Sequence, residues 1–169
     1  MDIAQRQLSQ ARGLTAMLGI GGTRMPIPST EKLRAGQQCV ELSVKATFLL
    51  LDLALPKVHE LSRQQFAEIA DRLQQSGVLE RLEEGGLAET IPLARMLFLF
   101  NLWGQVYLIA KYGYEDSFLA PPNQIFRIGE AQLALEHAEE CLLAARHLAS
   151  LSPDQLRAIA HGGVDDGER

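Results

Sequence analysis

The sequence has few cysteines and lacks the apolar segment of a secretory signal. Among 169 residues only Cys39 and Cys141 are cysteines, and both lie in stretches with helical periodicity. The opening MDIAQRQ is polar, and no apolar signal core follows it. Isolated cysteines without a signal are typical of reduced thiols in the cytoplasm. We therefore expect a cytoplasmic protein without a disulfide framework, in which both thiols are small buried groups.

A cluster of basic residues is also missing. Lys and Arg total 16 against 21 Asp and Glu, so the net charge is -5, a sign that opposes binding to nucleic-acid phosphates. Residues 61–86 have the outline of a DNA-reading helix pair, but the second segment, VLERLEE, is acidic and would repel phosphate. We expect no nucleic-acid partner. Attachment of the first helix to a membrane surface is a weaker alternative, because its polar face has no lysine-rich band.

Strand patterns and internal repeats are absent as well. No segment alternates apolar and polar residues with the period of two that a half-buried strand requires, and β-branched residues are sparse. The length favours one domain. The sequence therefore predicts an all-α fold, a compact helical bundle of four to five main helices plus short helices. Residues 1–161 form the single bundle domain in this prediction, and 162–169 form a polar tail.

Helical periodicity and capping signals locate the helices. Two capping boxes begin helices, Ser62 with Gln65 and Ser152 with Gln155. Pro56 favours an end of the second helix near Leu55. The predicted helices cover 3–18, 30–55, 62–75, 78–84, a segment from Thr90 and Pro92 to near 113, 126–151, and a short last helix from 153. The glycine- and proline-rich segment 19–29 is predicted as a loop.

The most apolar stretch, MLFLFNLWGQVYLIA at 96–110, is too short to cross a membrane. A spanning helix needs about 20 apolar residues, whereas this one has fewer and includes Asn101 and Gln105. Arg95 precedes it directly and Lys111 follows it. We predict a buried helix and no transmembrane span.

This helix and the second half of the preceding long helix carry apolar residues on all sides. An ordinary surface helix has one apolar stripe, so each of these helices needs neighbours on opposite sides. On the helix after Phe126, Leu133 and Leu143 project away from the main apolar stripe. Surplus apolar surface usually marks a protein interface, and homodimers are its commonest form. We expect a homo-oligomer or a complex with another protein, with Leu133 and Leu143 in the interface; the alternative is that a central helix absorbs the surplus.

These observations favour a non-enzymatic helical interaction protein: an accessory subunit, adaptor or regulator. The alternative is a bundle with an internal apolar pocket for a small molecule or cofactor, possibly an enzyme. The polar groups available to such a pocket are Arg95, Asn101, Gln105, Tyr107, Tyr112 and His137. The amides of this set also fit a structural role, as hydrogen bonds between helices. An ion pair between Arg95 and Asp52 is a further hypothesis.

Metal and catalytic motifs are scarce. The stretch EAQLALEHAEEC, 130–141, is richest in metal-ligand side chains, but the sequence has no Glu-x-x-His, Cys-x-x-Cys or His-x-x-x-His. GIGGTR lacks the lysine ending of a phosphate loop, and no serine or cysteine has an evident base beside it. His59, His147 and His161 have no suggestive neighbours in the sequence. We predict no metal site, no catalytic residue and no cofactor.

Overall fold

The computed structural model describes residues 2–17, 29–56, 58, 59, 61–112 and 125–162. These residues form seven helices and no strand, which confirms the predicted all-α fold. The predicted loop 19–29 and tail 162–169 lie outside the described residues, except for their residues 29 and 162. The helices are α1 Asp2–Met17, α2 Ser29–Leu50, α3 Arg63–Gln75, α4 Val78–Glu84, α5 Leu93–Tyr112, α6 Ile128–Ala149 and α7 Pro153–His161.

Both predicted capping boxes are confirmed. The Ser62 hydroxyl accepts from the Gln65 backbone N–H, and the Gln65 side chain accepts from the Ser62 N–H, at the start of α3. Ser152 and Gln155 form the same pair ahead of α7. Each pair satisfies two backbone donors that a helix leaves unpaired. The α5 helix, which was predicted to begin at Thr90, begins instead at Leu93, and the Thr90 hydroxyl donates to the carbonyl of Leu87.

The α2 helix lies at the centre of the bundle. It packs against α1, α5 and α6 and buries many of its side chains. The exposed side chains of α2 lie on one side of the helix: Glu31, Arg34, Gln38 and Leu49. Its central position explains why the second half of α2 has no polar face, and it absorbs much of the apolar surplus. α5 buries Met96, Leu99 and Phe100 in the same core but leaves Phe98 half exposed. No helix in the described part of the chain is long and apolar enough to cross a membrane.

A close approach of backbones joins α2 to α6. A Cβ atom added at Gly36 would lie 2.9 Å from the carbonyl oxygen of Ala134, closer than real Cβ contacts. Three residues further on, the Cys39 thiol lies 3.8 Å from the carbonyl oxygen of Ala138. The two helices therefore run in the same direction. The absence of a side chain at Gly36 permits their close approach.

The end of α2 differs from the prediction. The helix ends at Leu50 rather than near Leu55, and Asp52 adopts a left-handed conformation with φ of 55°. The N–H of Leu53 donates to the carbonyl of Phe48, and that of Asp52 donates to Leu49. This is the Schellman pattern, which satisfies terminal carbonyls when one residue is left-handed. Turn geometry at Asp52, not Pro56, therefore ends the helix.

One arginine connects the short helices at the end of the bundle where α2 terminates. The Arg81 guanidinium on α4 donates to the carbonyls of Ile159, at 2.7 Å, and Ala160, at 2.9 Å, on α7. It also donates to the Ser76 carbonyl at 2.7 Å. Arg81 thereby satisfies carbonyls near the carboxyl ends of both α3 and α7, where positive charge is favourable.

Candidate functional site

A polar cleft of about 330 Å³ opens along the first half of α2. We call it the α2 cleft. The helical repeat aligns its α2 residues on one side of that helix, while α5 contributes Tyr107 and the segment after α2 contributes His59. The lining residues are Glu31, Arg34, Ala35, Gln37, Gln38, Glu41, Leu42, His59 and Tyr107.

A buried carboxylate, Glu41, lies in this cleft with three hydrogen-bond donors. Its side chain is 9% exposed. Lys45 Nζ lies 2.7 Å from Oε1, while His59 Nδ1 and Gln37 Nε2 lie 2.8 and 3.2 Å from Oε2. Burial by itself raises the pKa of the Glu41 carboxyl, but the hydrogen bonds and charges of Lys45 and His59 outweigh burial and leave this pKa lowered. Glu41 is therefore an ionised group held in a fixed orientation.

Gln37 is the most deeply buried polar residue of the cleft, with 2% of its surface exposed. Its Nε2 donates to Glu41, but its Oε1 is buried and has no hydrogen-bond partner. A buried polar atom without a partner carries an energetic cost, of roughly 1–3 kcal/mol. A residue that lines the cleft therefore carries a buried acceptor that a hydrogen-bond donor would satisfy.

His59 forms the outer wall of the cleft together with Tyr107. Their ring centroids are 5.2 Å apart and the rings are inclined by 32°. Because Nδ1 of His59 faces the carboxylate of Glu41, the neutral ring carries its proton on Nδ1 and keeps Nε2 as an acceptor. The imidazole is 63% exposed, so Glu41 and Tyr107 orient a ring that solutes can reach.

The residues predicted to form one ligand site lie at different places in the structure. Of the five residues whose side chains the structure describes, Tyr107 is the one that lines the α2 cleft. Arg95 lies elsewhere and pairs through two nitrogens with Glu140 of α6. The hypothesis of an Arg95–Asp52 ion pair is therefore wrong; the Asp52 carboxylate instead lies 3.8 Å from Nε2 of His161. Helical periodicity gives the direction of Arg95 on its own helix but not which neighbouring helix it meets.

The remaining members of the group occupy different surroundings. His137 on α6 accepts a hydrogen bond of 3.1 Å from the indole N–H of Trp103 on α5. Asn101 has a buried Oδ1 without a partner, and Gln105 is exposed. Tyr112 ends α5, and its side chain lies outside the described residues. No described cavity joins these residues.

The two leucines predicted as interface are exposed. Leu133 is 44% exposed and Leu143 is 62% exposed, both on α6. Separately, a more apolar cavity of about 480 Å³ lies where α1, the end of α2 and α7 meet. Its lining residues are Ile3, Ala4, Leu49, Leu50, Pro153, Leu156 and Arg157. Large apolar side chains therefore reach the surface on at least two faces of the bundle.

Both cysteines are buried and free of disulfides. Burial raises the pKa of the Cys39 thiol to about 11, and it also raises the pKa of Cys141. A thiol with a raised pKa is a poor nucleophile at neutral pH. Within the ranges that the structure describes, no group of three metal-ligand side chains comes together.

Sequence reasoning missed two polar residues of the cleft, Gln37 and Glu41, and the lysine that pairs with Glu41. Gln37, Glu41 and Lys45 are spaced four residues apart on α2, which the helical repeat places along one side. That spacing was a usable signal for the polar row, although not for its burial. His59, which we had interpreted as having no suggestive neighbours, contacts Glu41 across 18 residues. A contact of that range depends on the turn after α2 and has no local sequence signal.

The chain was compared with protein-family models, with curated proteins and with solved structures, and no significant match was found in any of the three.

Proposed function

We propose that the protein is a helical binding module that holds a small polar molecule in the α2 cleft. This function modifies the alternative drawn from the sequence: the ligand site is a polar cleft beside the central helix rather than an apolar pocket inside the bundle. Its volume of about 330 Å³ is at the lower end for ligand sites. The expected ligand is therefore a small molecule.

The observation that carries this proposal is the unsatisfied carbonyl oxygen of Gln37. Buried amide oxygens in proteins are almost always hydrogen-bonded. Gln37 Oε1 is an exception, and it belongs to a side chain that lines a cavity. A ligand donor at this atom would remove the cost of the unpaired acceptor, which is a source of affinity.

A second support is the preorganised surroundings of Gln37. Glu41 fixes the Gln37 amide through one carboxylate oxygen and orients the His59 ring through the same oxygen, while Lys45 holds the other oxygen. Side chains already held in place lose less conformational entropy when a ligand binds. The network therefore favours recognition by a rigid set of polar groups.

A native mass spectrum of the purified protein, compared with its denatured mass, tests this function. We expect a folded monomer or multimer that carries a noncovalent adduct of a few hundred daltons or less. Ala35→Trp would fill the α2 cleft without altering Gln37 or Glu41, and it should remove the adduct. Ala67→Trp, at an exposed position of α3, makes the same change outside the cleft and should retain it.

An adduct that persists in Ala35→Trp would place the ligand elsewhere and contradict the proposal. If wild-type protein carries no adduct, the apo protein should instead gain thermal stability from members of a panel of small polar compounds. Loss of that gain in Ala35→Trp but not in Ala67→Trp supports the cleft. A panel without any stabilising compound counts against a ligand site there.

A second candidate function is the interaction protein favoured by the sequence, acting as a homo-oligomer or with another protein. The exposure of Leu133 and Leu143 supports it, because large apolar side chains on a helix surface are common in protein interfaces. The central position of α2 weakens it, because most of that helix's apolar side chains are buried within the chain.

The mass of the assembly distinguishes the two functions. If α6 forms an interface between copies, wild-type protein is a multimer and the double variant Leu133→Glu/Leu143→Glu is a folded monomer. The control Gln132→Glu/Ala67→Glu adds the same charge at exposed helical positions and should remain multimeric. A multimer that survives the leucine changes would assign its interface to another face.

A further inference from the structure

We infer that the molecule bound in the α2 cleft is uncharged and donates a hydrogen bond, from an N–H or O–H group, to Oε1 of Gln37. This inference rests on the proposed function, since it specifies the chemistry of the ligand for that same cleft. Two properties of the cleft carry it: the fixed orientation of the Gln37 amide and the balance of charge among the surrounding side chains.

The orientation of the Gln37 amide follows from its neighbour. Glu41 is ionised and its pKa is lowered, so its carboxylate oxygens only accept hydrogen bonds. The Gln37 atom 3.2 Å from Glu41 Oε2 must therefore be the amino group, because an oxygen there would place two acceptors in contact. The atom left without a partner is the carbonyl oxygen, and only a donor satisfies it.

The charges around the cleft cancel. Glu31 and Arg34 line the cleft with opposite charges. Deeper in the cleft, the carboxylate of Glu41 is neutralised by Lys45 at 2.7 Å. Because Glu41 already has Lys45 as its counter-charge, a cationic ligand beside Glu41 would find no free carboxylate, and an anionic ligand there would face the Glu41 carboxylate. Removing either ion from water would then lack a compensating charge, which favours a neutral ligand.

The depth of Gln37 makes the donor important for selectivity. Gln37 lines the cleft with 2% of its surface exposed, and its Oε1 is covered. Because this atom is covered, a neighbouring side chain must move for a ligand to reach it. A ligand without a donor would enter the same space and leave the acceptor unpaired, so it should bind more weakly.

Four probes of matched length separate donor capacity from charge: pentanamide, N,N-dimethylpentanamide, pentanoate and pentylammonium. Binding is measured from backbone amide shifts in ¹H–¹⁵N spectra of the full chain during titration. We expect pentanamide to shift residues 34–42, and the dimethyl amide to bind about tenfold more weakly because it has no N–H donor. Both charged probes should also bind more weakly than pentanamide.

Gln37→Met retains the length of the side chain but has no carbonyl acceptor, and it should abolish the preference for pentanamide. Gln105→Met makes the same change at an exposed position of α5 and should leave the preference unchanged. Circular dichroism and thermal midpoints establish that both variants fold. If Gln37→Met does not fold, the comparison of pentanamide with its dimethyl analogue in the wild-type protein still tests whether the ligand must donate a hydrogen bond.

Equal binding of the two amides, or tighter binding of a charged probe, would overturn the inference while leaving a ligand site in the cleft. The inference is also overturned, and the ligand site retained, if none of the four probes binds but the wild-type protein carries an adduct that Ala35→Trp removes. If no probe binds and no adduct or stabilising compound depends on Ala35, the proposed function fails as well.

Discussion

The indole N–H of Trp103 donates a hydrogen bond of 3.1 Å to Nδ1 of His137, and this bond links α5 to α6. The ring centroids are 5.9 Å apart. Nδ1 accepts a hydrogen bond only when it carries no proton itself, so the contact requires neutral His137 with its proton on Nε2. Trp103 is the one tryptophan in the chain, so its fluorescence reports on this contact.

Acidification should break this bond. Burial, and then the positive charge of Arg95, lower the pKa of His137 below its ordinary 6.5. Because the folded-state pKa is the lower one, the stability from the neutral ring is fully present above about 6.5 and is lost as pH falls through the folded-state pKa. We expect tryptophan fluorescence and the urea midpoint both to fall as the pH is lowered from about 6.5 through the folded-state pKa of His137.

The variant His137→Gln provides the control for this pH dependence. Its amide oxygen can accept from the Trp103 indole, and it does not titrate. The fluorescence change below pH 6.5 should therefore be absent in the variant. A change that persists there would assign the titration to another group.

Removing charge from Glu140 should weaken the link between α5 and α6 slightly. The Glu140 carboxylate binds two nitrogens of Arg95, and the hydrogen bond from Arg95 lowers the pKa of Glu140. The two side chains are 49% and 31% exposed, so solvent screens the pair. We expect Glu140→Gln to lower the free energy of unfolding by about 0.5 kcal/mol.

Chemical denaturation of a double-mutant cycle with Arg95→Met measures the coupling between the two side chains. Glu139→Gln, at the exposed neighbouring position, makes the same change without a hydrogen-bonded arginine and should have less effect. Equal losses in the two glutamine variants would show that the pair contributes nothing to stability.

Gly36→Ala should destabilise the bundle. The added Cβ would lie 2.9 Å from the Ala134 carbonyl oxygen and 3.0 Å from the Ala134 Cβ, where backbone rather than a movable side chain resists it. Separating α2 from α6 to admit the methyl group should cost about 1–3 kcal/mol. The urea midpoint measures the loss.

Gly13→Ala tests the same substitution without the contact. A Cβ at Gly13 in α1 would have no neighbour within 4 Å, so the better helix propensity of alanine should stabilise the protein by about 0.5–1 kcal/mol. Opposite signs for the two variants are expected. A loss of similar size at both positions would contradict the close approach at Gly36.

Asp52→Gly should stabilise the end of α2. Asp52 has φ of 55°, a conformation that glycine adopts without the steric cost of a Cβ atom. We expect a gain of about 0.5 kcal/mol in the free energy of unfolding, measured by thermal and urea denaturation. Asp71→Gly, at an exposed position inside α3, should cost about 0.5 kcal/mol, because glycine is the poorer helix former there. A loss at position 52 would argue against the Schellman end of α2.

Most helices were predictable because their signals are local. The Ser62–Gln65 and Ser152–Gln155 capping boxes act over three residues, and Gly77, left-handed with φ of 67°, separates the predicted helices 62–75 and 78–84. Such signals are within the reach of a sequence pattern. The end of α2 was not predictable in the same way. Asp52 replaces the glycine that usually marks a left-handed helix end, so the prediction extended to Pro56.

The sequence by itself determined the all-α class, the apolar character of α2 and α5, and the net negative charge, because composition and the 3.6-residue period encode them. Only the tertiary structure decided that α2 is central, that Arg95 meets Glu140 rather than Asp52, and that His59 completes the cleft around Glu41. Helical periodicity gives the direction of each side chain from its own axis. Which helix lies in that direction depends on the packing of all the helices together.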